Sequence, residues 1–531
     1  MHRATHVALA CLGLLLGTGG CDTFLTGDKL SQNPNLPTSA SAQQLFIGVQ
    51  AGQFAFQEGT IAMVMCEWVQ ACSAGNSRFV QQAAQYVVGE GTGIGLTDWT
   101  TAYGGGGLID IRKLEAAVGA VDDSVWLGIG QIWEAFTMGT VSSVWGDVPY
   151  SEAVSGKTDP VLDDRFVILG DLQTLLSTAI TNLAGPGSGP GANDLIFGGN
   201  TAKWTRVAWT LKARYYLQTA ESLGAPAYTA AIAAATNGIN DATGASDFAS
   251  FHTTATSERN MWTQFQTSSG FGTDLEGGKA LIDILKRRND PRLAKYYCKA
   301  TAAAWKAKNR YPKNGAIVDP NGNMEQVTAI VDTSKNFSGS TPPTWPTTAG
   351  TTTVDSNVTW INRGLPYVGD DFNTPPPPPV SQFNCLPSRF APDARVPYVS
   401  YVENELILAE AYNQTGDDLN GLLHLNNARA TVPLSAIVGV TGAALLDSII
   451  IEKYAAMFQN IESINDYRRT CIPALVHSAN SEGFQNVPGR LFYPQSERNV
   501  NPNVPTPTVQ LATRGFRNRG DVHACEHDNS P

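Results

Sequence analysis

Charge is scarce in this sequence: 16% of its 531 residues are Asp, Glu, Lys or Arg, against ~25% in an average soluble protein. The 36 Lys and Arg form no basic run, and with 47 Asp and Glu the formal net charge is -11. That excludes the electrostatic footprint of a nucleic-acid-binding protein and speaks against polyanionic ligands. Long hydrophobic runs are missing as well. Beyond the first twenty residues no apolar run reaches the ~18 residues a membrane-spanning helix needs, and the best, 436–446, is closed by Asp447. Histidines number seven, two of them at positions 2 and 6. Neither His-Glu-x-x-His nor Gly-x-Ser-x-Gly occurs, so zinc-helix peptidases and nucleophile-elbow hydrolases lack their signatures here. The run Gly89-Glu90-Gly91-Thr92-Gly93-Ile94-Gly95 never becomes Gly-x-Gly-x-x-Gly and has no following Lys-Ser/Thr. It reads as a flexible loop, and no cofactor is expected.

With 42% hydrophobic and 9% aromatic residues the chain can bury a large core, which excludes a disordered class. Its 51 Gly and 30 Pro point to long loops. Low charge with abundant Ser, Thr, Asn and Gln suggests an extracytoplasmic protein. The N-terminus agrees: Arg3, an apolar stretch over 7–16, then Gly17-Thr18-Gly19-Gly20 and Cys21. The apolar stretch is too short for a ~30 Å hydrocarbon core and suits a cleaved signal. Small residues followed by Cys resemble a bacterial lipobox, with Thr18 where Leu is usual. Residues 1–20 are therefore expected to be a signal peptide, Cys21 the lipidated first residue, and 21–40 a tether, with lipid as the only membrane anchor. Cys66, Cys72, Cys298, Cys385, Cys471 and Cys525 remain. An even number in an oxidising compartment favours disulfides, with fifteen possible connectivities. Cys66 with Cys72 is the favoured local pair, bridged across a turn that 71–76 can supply.

Apolar residues recur at helical spacing and strands are hard to find, so the fold class is mainly α. The clearest helices are 41–56, 108–120, 125–144, 172–183, 203–220, 280–288, 399–414, 419–429 and 443–460. The pair 399–429 is joined by Thr415-Gly416-Asp417, where Gly can adopt the left-handed cap and Asp can cap the next helix. That is a helix hairpin of the tetratricopeptide-like kind, without a strict 34-residue period. Residues 306–397, rich in Thr, Pro, Gly and Asn, read as a loop elaboration packed on the scaffold within one domain over 41–510. A shorter loop covers 185–193, and 511–531 is a tail. In that tail His523, Cys525 and His527, with Asp521, carry donor atoms for a transition metal, but a disulfide explains Cys525 equally well. No metal site is assigned.

One motif is specific. Trp145-Gly146-Asp147-Val148-Pro149-Tyr150-Ser151-Glu152-Ala153, at the end of a long helix, resembles the hallmark of the SusD/RagB-like outer-membrane lipoproteins. Further elements of that pattern follow in order. They are Asn33-Pro34-Asn35, Trp204 with Leu211-Lys212-Ala213-Arg214, Asn289-Asp290-Pro291-Arg292-Leu293, Glu403 with Ala409-Glu410-Ala411, and Asn426 with Arg429. Glu452-Lys453-Tyr454, Asp466-Tyr467-Arg468-Arg469 and Arg490-Leu491-Phe492-Tyr493-Pro494 with Glu497 and Asn501 complete it. The resemblance spans 21 to about 501. Departures are Thr18, Cys471 where relatives often carry Gly after the Arg pair, and the Cys-bearing tail.

The resemblance implies a SusD-like fold: tetratricopeptide-like hairpins as scaffold and a large irregular loop-rich face. It implies a non-enzymatic, lipid-anchored protein of the cell outer membrane, surface-exposed. Such a protein captures oligosaccharide or another glycan and hands it to a SusC-type TonB-dependent transporter. A peptide-binding member of the same import system and a secreted glycoside hydrolase are the alternatives. The motif residues themselves read as structural: Gly146 turns the chain, Asp147 accepts backbone N–H bonds, Pro149 stiffens the exit beside Trp145 and Tyr150. Glu403 and Glu410, seven apart, share a face with Leu406 and Ile407, a costly place for charge unless each is paired. Arg429, Arg468 and Arg469 are the expected partners. Sugar rings stack on exposed aromatics while Asn, Asp, Gln and Arg take the hydroxyls. The stretch 257–265 combines these most densely, so Trp262, Phe265, Asn260 and Arg259 are the leading ligand contacts, followed by Trp68, Trp305 and Trp345.

Overall fold

A computed structural model describes residues 40–74, 82–267, 275–299, 381–382, 388–475, 484, 486–521 and 525. The expected signal, Cys21 and the tether up to residue 39 lie outside these, as do Trp305, Trp345, Cys385, most of 306–397 and both tail histidines.

The first helices are α1 (Ala42–Glu58), α2 (Thr60–Trp68), α3 (Leu108–Gly119) and α4 (Ser124–Trp145). Ser41 starts α1 through a capping box with Gln44, and Asp123 caps α4 by accepting from Trp126 N. Helices α5 (Arg165–Leu183), α6 (Thr201–Leu217) and α7 (Ala225–Ala235) continue the row. Then come α8 (Met261–Thr267), α9 (Lys279–Arg287), α10 (Tyr401–Gln414), α11 (Asp418–Ala430), α12 (Gly442–Ala456) and α13 (Glu462–Thr470). Packing is largely neighbour to neighbour: α1 on α3, α3 on α4, α4 on α5, α5 on α6, α6 on α7, α7 on α10, and α10 on α11 and α12. This is the order of stacked helix hairpins. By length and composition α5 is apolar enough to cross a membrane. In the fold it buries only one stripe, Ile168, Leu169, Leu172, Leu176, Ala179 and Leu183, and turns Asp171, Thr174, Ser177 and Thr178 to solvent.

The expected turn between α10 and α11 is present. Gly416 has φ +85°, and the Asp417 side chain accepts from Asn420 N. The bounds differ at the start of α10: Pro397–Val399 is strand, and Ser400 caps the helix by accepting from Glu403 N. Strands are short. Cys72–Ala74 (β1), Leu275–Gly277 (β3), Ser381–Gln382 (β5) and Cys298–Lys299 (β4) form an antiparallel sheet in that order, and β2 (Phe248–Ala249) pairs with β6 (Pro397–Val399), Phe248 opposite Val399.

One hydrophobic core reaches from Phe46 to Cys525. A smaller cluster between α6, α7 and α10 uses Ala213, Ala227, Ala231 and Ala411, whose small side chains let the helices approach closely. Another joins α10, α11 and α12.

Cys66 and Cys72 form the expected disulfide, Cα atoms 5.1 Å apart. The turn lies at 69–71 rather than 71–76, with Gln70 at φ +57° and Ala71 N donating to Cys66 O. Cys525 pairs with Cys471. Its sulfur is therefore unavailable as a thiolate ligand, and the tail-metal reading loses its central donor. Cys471 itself ends α13 in the left-handed conformation (φ +57°), which glycine adopts with least strain. The glycine-rich run is held rather than loose: Arg498 grips Glu90 through two nitrogens at 2.8–3.0 Å. A Cβ on Gly95 would lie 2.8 Å from Leu491 and 3.2 Å from Trp145.

Candidate functional site

The motif residues come together, but as scaffold. Trp145 is fully buried against Trp99, and Gly146 turns the chain at φ +91°. Asp147 Oδ1 accepts from Arg165 N at 3.0 Å, and the Asp147 carbonyl accepts from the Tyr493 hydroxyl at 2.5 Å. The Pro149 carbonyl takes the Tyr103 hydroxyl and the Tyr150 carbonyl takes Arg112. Leu491 N donates to Val144 O, so a segment from near the C-terminus seals the corner.

Both Glu403 and Glu410 are fully buried and paired. Glu410 meets Arg469 through both oxygens, as expected. Glu403 does not meet any of the three arginines expected. Its partner is Arg214 on α6, at 2.5 and 2.6 Å. Burial works against the Arg214 charge, but the Glu403 carboxylate outweighs it and raises the guanidinium pKa above its usual value. Arg429 instead meets Glu452, which also holds Arg288 and Arg292. Arg468 donates to the Ser143 and Gly489 carbonyls and ties α13 to the Trp145 corner. The reason for both corrections is geometric: helix order places α6 and α12 beside these groups, and sequence spacing carries no information about that order.

Two of the expected ring platforms are ruled out. Trp262 and Trp68 have no exposed surface. Trp262 packs edge-on against Phe390, centroids 5.4 Å apart, and also meets Phe458, so no sugar can reach its faces. Asn260 is buried too: its side chain accepts from Trp262 N, starting α8, and donates to Ala394 O at 2.9 Å. Phe265 is half-buried against the core, and Arg259 is half-exposed with Nε on the Thr254 carbonyl.

What these residues surround is a polar surface loop with a closed base. Glu58, the last residue of α1, is fully buried; its Oε1 accepts from the Tyr398 hydroxyl at 2.6 Å and its Oε2 lies 2.9 Å from His252 Nε2. Asn260 Nδ2 lies 3.5 Å from the same Oε2, and His252 Nδ1 is 3.2 Å from the Glu258 carbonyl. Burial, then the Glu58 charge, raises the Tyr398 pKa well above that of a free phenol, which keeps it a donor to the carboxylate. Thr253 N also donates to Glu258 O, and the Thr253 hydroxyl to Glu258 Oε2 at 2.7 Å. Next to His252 in the chain stands Phe251, 41% exposed and the most exposed aromatic side chain among the described residues. Sequence reasoning missed Phe251, His252 and Glu58. None sits in a periodic pattern, and Glu58 is 194 residues from its histidine.

Two other polar clusters have different uses. A water-sized cavity lined by Gln57, Thr140, Ser143, Arg214, Gln218 and Glu462 is too small for a sugar. Between α3 and α4, burial and then the Glu134 charge push the Glu115 carboxyl up to about 9. Arg112 spans from Glu134 to the Tyr150 and Ala153 carbonyls, so this acid pair lies in a helix interface. Among the described residues, no group of three His, Cys, Asp or Glu side chains is placed to hold a metal ion.

The fold is a scaffold of stacked helix hairpins joined by loops. Residues 34–349 match the SusD-like family described as starch-binding and associating with the outer membrane, and the chain belongs to that family. Solved structures of the same fold include a chitin-binding protein, 18% identical with TM-score 0.62 over 91% of this chain and 100% of that one. A chitin-binding SusD homolog from Flavobacterium johnsoniae is 16% identical, TM-score 0.61, over 90% and 98%. A SusD/RagB family protein from Bacteroides thetaiotaomicron is 18% identical, TM-score 0.59, over 92% and 98%. None of the curated proteins matches the sequence.

Proposed function

We propose that the protein is a lipoprotein, anchored through Cys21 at the outer-membrane surface, that binds oligosaccharide and delivers it to a SusC-type TonB-dependent transporter. The observation that carries this reading is the family match over 34–349, whose members are described as starch-binding and associating with the outer membrane. Two proteins of similar fold described as chitin-binding support a carbohydrate ligand. On this reading the chain is a binder and not an enzyme. Arg259 and Phe265, the two leading contacts that keep exposed surface, act at the ligand face. Purification of tagged full-length protein from its native membrane in mild detergent, followed by mass spectrometry, tests the reading. A co-purifying TonB-dependent barrel and a lipid-modified Cys21 are expected. Recovery alone from the soluble fraction with Cys21 unmodified overturns it.

A further inference from the structure

We infer that residues 251–260 form a preorganised oligosaccharide-contacting loop, with the Phe251 ring as its stacking face and Glu58 as the residue that positions it. The inference rests on the glycan reading above and narrows it to particular atoms.

The ring is the starting point. A pyranose offers an apolar C–H face, which an exposed aromatic can cover, and hydroxyls that need polar neighbours. Trp68 and Trp262, which the sequence suggested, lie buried in helices, whereas Phe251 stands 41% exposed. Thr254, Thr256 and Ser257 are exposed on the same loop, with the Arg259 guanidinium half-exposed.

The backbone on both sides of Phe251 is anchored. On one side Ser250 is fully buried, its N on the Val396 carbonyl at 3.0 Å, its hydroxyl accepting from Val396 N at 2.9 Å, and its carbonyl accepting from Arg395 Nε at 2.6 Å. On the other side the His252 ring is 5% exposed and locked between Glu58 and the Glu258 carbonyl. One carboxylate oxygen thus faces both His252 and Asn260, the two ends of the loop. A backbone held on both sides of Phe251 needs no ordering when a sugar docks, so more of the contact energy appears as affinity.

Titration calorimetry with N-acetylchitohexaose and maltohexaose tests this on wild type, Phe251→Ala, Phe251→Trp, Glu58→Gln and the double variant Glu58→Gln/Phe251→Ala. For the glycan that wild type binds, Phe251→Ala is expected to weaken affinity about tenfold, the equivalent of one stacked ring, with an unchanged melting temperature. Phe251→Trp restores binding. If Glu58 acts by holding the ring, its effect disappears once the ring is gone, and the double variant binds like Phe251→Ala alone. Wild-type affinity in Phe251→Ala overturns the stacking role while leaving glycan capture intact. Additive losses overturn the positioning role of Glu58. Absence of wild-type binding to either glycan overturns the oligosaccharide assignment and this inference together.

Discussion

Arg214 and Glu403 show how a single residue can decide stability from 189 positions away. Each is a charge withdrawn from water, tolerable because the other is within hydrogen-bonding distance. Arg214→Met leaves Glu403 buried without its partner and is expected to cost about 3 to 5 kcal/mol in chemical denaturation. Arg214→Met/Glu403→Met should recover most of that loss, because two apolar side chains need no compensation. Asp247 adds a pH dependence. Burial pushes its carboxyl up to about 7, against the opposing bond from Tyr401 N, with the Asp241 and Glu403 charges adding to the rise. The folded state therefore keeps a proton that the unfolded chain releases near 3.8. Its stability contribution is complete below that value and is lost as pH rises through about 7. Denaturation at about pH 4 and about pH 8 should show Asp247→Asn gaining relative to wild type at the higher pH.

Elements differ in how openly the sequence displays them. The hairpin α10–α11 was legible from Gly416 and Asp417, because turn and cap chemistry is local. Helix α13 was not: Glu462, Asn465, Asp466, Arg468 and Arg469 carry no apolar period, yet all are buried. Burial there follows from ion pairs such as Lys453 with Asp466 at 2.7 Å, and a periodicity argument looks only for hydrophobic faces. Helix α7 escaped for the opposite reason, since Ala-rich Ala225–Ala235 has no polar face to mark its orientation. The C-terminal segment is also an element of the scaffold. Asn518 Nδ2 donates to the Ser143 carbonyl, Arg165 donates to the Arg519 carbonyl, and Cys525 closes on Cys471 across 54 residues. Cys525→Ser, compared with wild type under oxidising conditions, should lower unfolding free energy by about 4 kcal/mol if chain entropy sets the effect.

Across the whole molecule, residues that the sequence scatters meet in a few places. Trp145 is sealed by 489–493, Glu452 gathers Arg288, Arg292 and Arg429, and one core runs from Phe46 to Cys525. Unfolding followed by tryptophan fluorescence and by far-UV circular dichroism should therefore give coincident transitions; separated midpoints would divide the chain into independent units. The sequence by itself determined the family, the mainly helical scaffold, the Cys66–Cys72 pair and the need for partners at Glu403 and Glu410. Those features rest on local chemistry: motif order, turn residues, short-range geometry and the cost of burying a charge. Tertiary structure alone decided which arginine serves which glutamate, and that Trp262 faces inward while Phe251 faces out. Exposure of a ring and the pairing of distant charges depend on which helices lie side by side, and that order is set by packing of the entire chain.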